Sequence, residues 1–352
     1  MTPKLLIYGA YGYTGELITR QAVERGLRPI LSGRDPARVA RLAAEYGLEH
    51  RAVRLDDPAG LAATLRGVQA VLHCAGPFGQ TAAPMATACL RGGVHYLDIT
   101  GETAVFEALA GRDSEAQAAG VMLLPGAGFD VVPSDCLALH LKARLPGAIS
   151  LAVAYGGMAQ ISRGTATTAL SDLGRASGLV RRDGALAAVP LAHRSLTIDF
   201  GDGPTHAVAI PLGDVVTAYH STGIPNIEVF LATPKLAGAA LRLGRGLVPL
   251  MRLPVLRRAA LAWVRSRPAG PSAELRARSN SMIWGQVADS TGTTATARLR
   301  LPEAYTLTAL TAVAIAERVL RGDLRPGFQT PARVYGAEFI MEFDGVTRTD
   351  IL

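Results

Sequence analysis

The sequence predicts an α/β fold in which a doubly wound parallel sheet is followed by a second, α+β domain with a mostly antiparallel sheet. Three observations lead there. A short apolar run, Leu5-Leu6-Ile7-Tyr8, stops at Gly9, and Gly12 and Gly15 follow before an amphipathic helix begins. Strand-like and helix-like patterns then alternate as far as residue 130, the rhythm of parallel strands joined by crossover helices. Beyond Pro146 the strand patterns lengthen and follow one another directly, as in an antiparallel sheet.

The opening stretch is Gly9-Ala10-Tyr11-Gly12-Tyr13-Thr14-Gly15, with Leu17, Ile18 and Val23 on the inward face of the helix it starts. A strand, a glycine turn and a helix N-terminus in that order make an anion site. Gly9 permits the sharp turn, Gly12 lets backbone amides approach a pyrophosphate, and Gly15 lets the helix pack closely on the strand. This is the context a Rossmann-type dinucleotide site requires; a plain glycine turn in an α/β core is the alternative. The second strand, 28–32, selects the cofactor. An NAD site places an acid at its end for the ribose 2′-hydroxyl, whereas an NADP site uses a small residue and an arginine. Here the strand ends in Ser32-Gly33-Arg34, with Arg38 one turn further on, and Asp35 before Pro36 reads as a helix N-cap. The expected cofactor is therefore NADP, with Arg34 and Arg38 on its 2′-phosphate. The alternative is a solvated Arg34.

A third strand over 50–55 ends at Asp56-Asp57, where Asp56 borders the adenine or the pair caps the helix at Pro58. A fourth over 70–75 ends in Ala75-Gly76-Pro77, small residues suited to backbone running along the middle of the dinucleotide. A helix over 84–91 leads to a fifth strand, 94–99, which delivers Thr100 and Gly101 to the nicotinamide side. A helix over 107–119 and a sixth strand, 121–124, run into Gly128-Phe129-Asp130. The second domain follows: a helix over 136–145 capped by Ser134-Asp135, then strands at 150–155, 195–200, 205–210, 215–220 and 227–232. A hairpin pairs 276–287 with 293–301 across Asp289-Ser290-Thr291-Gly292. A final helix, 303–321, and a closing strand, 336–343, are expected to return to the first domain. The domain bounds are thus 1–135, 136–302 and 303–352.

At 352 residues, 49% hydrophobic and 18% charged, the chain can fill two cores and is not a disordered one. Its net charge of +7 rests on arginine, with Lys4, Lys142 and Lys235 the only lysines. That balance suits anionic ligands, but no basic block with interleaved aromatics appears, so nucleic-acid binding is not expected. Cys74, Cys89 and Cys136 lack metal-ligand spacing, and an odd count argues against a disulfide framework. No metal is expected, and a reducing cytoplasm fits. Met1 leads straight into the first strand, which leaves no room for a signal peptide, and no apolar run approaches a membrane-spanning length.

A hydride reductase needs a nicotinamide over the acceptor and a proton donor nearby. Asp130 is the first candidate, as proton relay or substrate contact; its alternative role is to cap backbone amides at a hinge. Tyr96 and Asp98 lie in one strand, and one of them is expected to face the cleft. Tyr219, as a substrate contact, and His220, as a second acid–base candidate, end the 215–220 strand, unless the histidine is structural. Ser162-Arg163-Gly164-Thr165 has the form of a helix-opening cradle for a substrate anion through Ser162, Arg163 and Thr165, or is an ordinary cap. Residues 234–264 carry Leu236, Ala240, Leu243, Leu247 and Leu250 at helical spacing, with arginines between. They read as a docking element for a membrane, an acyl chain or a synthase partner, or as helices covering the sheet.

Taken in order, Gly9 to Gly15, Ser32-Gly33-Arg34, Ala75-Gly76-Pro77-Phe78, Tyr96 to Glu102 and Gly128-Phe129-Asp130 resemble the saccharopine dehydrogenase-like superfamily. The similarity is greatest to the branch of trans-acting enoyl reductases and saccharopine dehydrogenase-like oxidoreductases. It is dense over 1–135 and thins afterwards to islands at Ser162–Thr165, His220–Asn226 and Gly327–Pro331. The resemblance implies an NADP-binding domain and a mixed-sheet domain that supplies substrate contacts and a homodimer interface. The chain departs from saccharopine-specific members in lacking an evident cationic and polar cluster for an amino-dicarboxylate. The expected function is an NADPH-dependent reductase of a C=C bond in an enoyl-type substrate, free or carrier-bound. The alternatives are a C=N reductase of the saccharopine type and a protein that holds NADP(H) without turnover.

Overall fold

A computed structural model describes residues 4–157, 160–173, 177–238 and 253–351. The chain forms two compact units, Met1–Val132 with Tyr305–Val334 and Pro133–Ala304 with Tyr335–Leu352. The first opens with β1 (Leu5–Tyr8), α1 (Tyr13–Glu24), β2 (Ile30–Gly33), α2 (Pro36–Tyr46), β3 (His50–Ala52) and α3 (Pro58–Thr64). It continues through β4 (Ala70–His73), α4 (Phe78–Gly92), β5 (His95–Asp98), α5 (Thr103–Ala110), α6 (Asp113–Ala118) and β6 (Met122–Leu124). The strands are parallel in the order β6-β5-β4-β1-β2-β3, and Leu6 stands level with Ile30 on one side and Val71 on the other. β1, β2 and β4 are buried along their whole length, and β1 accordingly reads as an unbroken apolar run.

Three expected boundaries shift. The strand expected at 50–55 stops at Ala52. The helix expected from Pro84 starts at Phe78, because the Phe78 and Gly79 amides find an acceptor in the Glu102 carboxylate at 2.7 and 2.8 Å. The helix expected at 107–119 is two, broken where Arg112 turns to pair with Glu115 and Thr87.

The second unit takes up α7 (Val132–Arg144), β7 (Ser150–Gly156), α8 (Arg163–Leu173), β8 (Ser177–Arg182), β9 (Ala185–Pro190), β10 (Ser195–Asp199) and β11 (Pro204–Ala209). α9 (Asp214–Thr222), β12 (Asn226–Ala232), α10 (Pro254–Arg265), α11 (Ala273–Arg278), β13 (Asn280–Ala288) and β14 (Thr294–Pro302) follow. The chain then gives the first unit α12 (Ala304–Leu320), β15 (Gly327–Phe328) and α13 (Pro331–Tyr335), and ends in the second with β16 (Thr347–Ile351). β15 lies parallel to β6 and makes the first sheet seven-stranded. The second sheet runs β10-β11-β12-β7-β13-β14-β16, with the β8–β9 hairpin attached to β12. All its pairings are antiparallel except β12 with β7. Both expected hairpins form, the second only from Asn280 because 276–278 belong to helix α11, and an aspartate closes each turn. Asp199 accepts from the Gly201 and Gly203 amides, and Asp289 from those of Thr291 and Thr293.

Two expected strands are something else. Residues 215–220 lie in α9: a buried apolar run does not by itself distinguish strand from helix, and the left-handed Gly223 at φ 69° closes a helix here. Residues 336–343 contain a 3₁₀ turn, Phe339–Glu342, and the closing strand is β16, which pairs with β14 in the second unit rather than returning to the first. α12 does belong to the first unit. Arg25 grips Glu317 with Nε and Nη2 at 2.9 and 2.6 Å, and Thr308 and Thr311 bond the Phe129 amide and the Ala127 carbonyl.

At the end of β4, His73 is fully buried among Tyr8, Phe78 and Tyr96, with ring centroids 5.4, 5.5 and 6.2 Å away. Neither ring nitrogen has a hydrogen-bond partner, and burial pushes its pKa down to about 3. The unfolded chain therefore binds a proton that the folded one refuses. Between pH 6.5 and 3, His73 costs stability on the order of 1 kcal/mol per pH unit of acidification. His73→Phe keeps the ring and removes both orphan nitrogens. Its melting temperature should exceed that of the parent chain, by a margin that widens from pH 7 to pH 4.5; a constant margin would contradict the titration.

Candidate functional site

The carboxyl ends of the first unit's strands carry the sequence-predicted cofactor residues. The Gly9 and Ala10 amides both donate to the Ser32 carbonyl, at 2.8 and 3.2 Å, and the Gly12 amide returns to the Gly9 carbonyl. Gly9 is left-handed at φ 81°, and a methyl on it would lie 2.8 Å from the Ala75 backbone nitrogen. A methyl on Gly15 would stand 2.3 Å from the Gly9 carbonyl oxygen. These clearances seat α1 directly on the turn. Its N-cap is Gly12, which has no side chain to fold back over the first amides. Tyr13 and Thr14, on its first turn, are half-buried, and the Tyr13 ring stands edge-on to Tyr305. A helix N-terminus capped without a side chain presents amides and a positive dipole end to an anion.

Tyr11 joins this turn to the end of β2. Its ring lies against Gly33, its hydroxyl accepts from the Asp35 amide at 3.2 Å, and Arg38 stacks on it 4.4 Å from the ring centroid while donating to the Tyr11 carbonyl. Asp35 accepts from the Arg38 amide at 3.1 Å, so it is the cap of α2. Arg34 and Arg38 are exposed. Ser32 acts here through its backbone. Its side chain is fully buried and donates to the Arg51 carbonyl at 2.7 Å, so its contribution is the carbonyl that anchors the turn. Asp56 is exposed and paired with Arg54, while Asp57 caps α3 through the Gly60 amide.

On the far side of β1, Ala75-Gly76-Pro77 follows β4, and Thr81 donates to the Ala75 carbonyl at 2.6 Å. The next loops are fastened by Asp98, a residue two positions from Tyr96 and therefore on the same face of β5. Neither opens to solvent, contrary to the expectation that one would face a cleft. Asp98 Oδ1 accepts from the amides of Thr100 and Gly126, both at 2.9 Å, and Oδ2 from the Tyr96 hydroxyl at 2.7 Å. Burial raises its pKa to about 6. Thr100 is buried and accepts from the Glu102 amide. A methyl on Gly101 would lie 2.9 Å from Asp130 Oδ2, which places that carboxyl beside the 100–102 loop. Asp130 is partly exposed, and burial raises its pKa to about 6.

In the second unit the expected substrate residues occupy two places. Ser162 is the N-cap of α8: its hydroxyl accepts from the Thr165 amide at 3.2 Å and lies 3.1 Å from the Thr165 hydroxyl. The Arg163 amide donates to the Ala269 carbonyl and its guanidinium to the Arg265 carbonyl. Ser162 thus caps the helix, and the exposed Arg163 side chain is bonded to the Arg265 carbonyl. Tyr219 and His220 lie in the last turns of α9 rather than at a strand end, and Arg181 sits over the Tyr219 ring at 4.1 Å. Sequence reasoning missed the group that fixes this helix. The buried Tyr155 hydroxyl donates to Asp214, 2.9 and 3.0 Å from its two oxygens, and lies 3.0 Å from the Ser134 hydroxyl. Burial pushes Asp214 up to about 7. Ser221 donates to the neighbouring buried Asp135 at 2.5 Å. Strand β7 and helices α7 and α9 supply these groups, and no local motif announces them.

Of the docking stretch expected at 234–264, residues 239–252, with Ala240, Leu243, Leu247 and Leu250, lie outside the described residues. Among the described residues no group of His, Cys, Asp and Glu is arranged to hold a metal, and no helix is long and apolar enough to cross a membrane.

Residues 5–124 match the family model described as the saccharopine dehydrogenase NADP binding domain. The chain is 27% identical over 166 residues to saccharopine dehydrogenase-like oxidoreductase from Homo sapiens, a match covering 42% of this chain and 39% of that one. It is 30% identical over 149 residues to the trans-acting enoyl reductase of Mycobacterium leprae (strain TN), covering 40% and 36%. The matches thus span about two fifths of these relatives' lengths. Apo saccharopine dehydrogenase (L-Glu forming) from Saccharomyces cerevisiae has the same fold, with a TM-score of 0.67 at 12% identity over 99% of this chain and 100% of that one.

The residues present fit NADP: amides capped without a side chain for the pyrophosphate, two exposed guanidinium groups at the end of β2, and the only acid there engaged in capping α2. Arg34→Ala should weaken NADPH binding roughly ten- to a hundredfold, as the loss of a charged hydrogen bond does, and leave NADH binding unchanged. Titration calorimetry with both coenzymes reads this; equal losses would remove Arg34 from the phosphate site.

Proposed function

We propose that this chain is an NADPH-dependent reductase of a C=C bond in an enoyl-type acyl substrate, free or carrier-bound. The observation that carries the reading lies at the carboxyl ends of the first unit's strands. A helix N-terminus with a glycine cap, two exposed guanidinium groups and the Asp130 carboxyl all follow those strands. Bound NADPH would supply a hydride. The chain's own residues do the rest. The Gly9–Gly15 turn and α1 hold the pyrophosphate, Arg34 and Arg38 select the 2′-phosphate, and Ala75-Gly76-Pro77 and Thr100-Gly101 give the remainder of the coenzyme a wall with few projecting side chains. Asp130, with a pKa of about 6, holds a proton in a useful fraction of molecules near neutrality and is the proposed donor to the carbon that does not receive hydride. His220 and Tyr219 remain proposed substrate-side residues on α9.

The name of the mycobacterial relative favours the enoyl substrate. Reduction of a C=N bond is the second reading, and the domain family named for saccharopine supports it. Single-turnover loss of NADPH absorbance, with a panel of enoyl thioesters and imines, separates the two; no oxidation with any acceptor would leave a protein that only holds the coenzyme. With its acceptor, the rate should fall about tenfold per pH unit above pH 6, because the donor must be protonated. Asp130→Asn should lower the rate roughly a hundredfold or more and abolish that slope. A variant that keeps the slope would move the proton donor elsewhere.

A further inference from the structure

Helix α10 carries a broad apolar face, and its own fold covers one flank of it. At about 100° per residue, Ala260 and Val264 fall on that flank, where Val264 is 3% exposed, and the exposed Arg257 lies between Val264 and Leu261. Val255, Leu256, Ala259, Ala262 and Trp263 continue the face as an arc, with Val255 74%, Trp263 59% and Leu256 42% exposed. Leu253, just before the helix, is 51% exposed. Arg258 and Arg265 border the arc on one side, and on the other Arg267 lies over the Trp263 ring, 4.4 Å from its centroid. The start of α8 adjoins the end of α10 and adds exposed Ile161 and Arg163. The sequence contains no Asp or Glu between Glu228 and Glu274, and eight Lys and Arg residues fall in that interval.

A solvated helix face would not expose a tryptophan, a valine and a leucine together. A groove on a protein partner would accept the arc, but such surfaces set register with charges of both signs. The residues shown to border the arc, Arg163, Arg258, Arg265 and Arg267, are all cationic, and such a border around an exposed tryptophan complements a diffuse negative plane instead. We propose that α10 lies on an anionic membrane surface, with Trp263, Val255 and Leu256 at the boundary of headgroups and acyl chains and the arginines on lipid phosphates. This does not depend on the proposed reaction.

The chain has two tryptophans, and Trp284 in β13 is only 9% exposed, so changes in emission report Trp263. The full chain should co-sediment with vesicles of phosphatidylcholine and phosphatidylglycerol at low salt, with a blue shift in tryptophan emission. It should bind pure phosphatidylcholine far less and release as ionic strength rises. Arg258→Gln with Arg265→Gln should weaken partitioning roughly tenfold, and Val255→Glu with Leu256→Glu should abolish it. All four positions are exposed, so melting temperature and far-ultraviolet circular dichroism should stay unchanged. The proposal is overturned by absence from the anionic vesicle pellet, by equal binding to neutral vesicles, or by binding that survives the double glutamate variant. A soluble dimer that the same variant dissociates would also overturn it, assigning the face to a second copy of the chain.

Discussion

The first unit depends on how little room lies between the Gly9 turn and its neighbours. Two amides converge on the Ser32 carbonyl, and less than 3 Å separates the space of a first side-chain carbon at Gly9 from Ala75, or at Gly15 from the Gly9 carbonyl. Any side chain there would push α1 off β1. The amides at the helix start would then no longer sit over the crevice where β1 parts from β4, the point at which the order of strands reverses. The anion site is thus a product of backbone packing, and its chemistry needs almost no side chains. Tyr11 extends the same constraint sideways. With its ring on Gly33 and under Arg38, it ties the turn to the loop that carries the two arginines.

Carboxylates fasten the remaining loops, and they do so by accepting backbone amides. Asp98 joins the loops after β5 and β6, and Glu102 closes the N-terminus of α4. A buried acceptor of this kind replaces water for amides that would otherwise be unsatisfied, so each loop holds one path across the sheet's edge. In the second unit Tyr155, Ser134 and Asp214 perform the same work for α9.

What the sequence made legible follows from this division. The glycine turn, the small residues after β4 and the arginine after β2 are local: the constraint and the residues that meet it lie within a few positions, so the turn and its helix start could be read. Glu102 acts on amides 24 and 23 positions away, and Asp214 on a tyrosine 59 positions away. No spacing rule reaches such pairs. The misread helix α9 fails for another reason. Val215 to Ala218 are buried on every side, so neither the period of a strand nor that of a helix appears in their hydrophobicity, and only the glycine at 223 distinguishes them. The closing strand was misplaced because Phe339 and Ile340 are buried in a 3₁₀ turn, while the real strand, β16, is an edge strand of polar residues that alternation does not mark.

A raised pKa does not by itself mark a functional acid, and the first unit holds the contrast within one edge of its sheet. Asp98 and Asp130 both titrate near 6, and burial is the leading cause for each. Asp98, however, is closed to solvent, and three donors take both its oxygens, so a proton placed there would displace a bond that holds two loops. Asp130 is partly exposed, and burial raises its pKa. Three donors hold the Asp98 carboxyl in place, whereas Asp130 meets solvent at the edge of the sheet. Asp98 therefore carries a structural role, and Asp130 is kept as the acid proposed for the reaction.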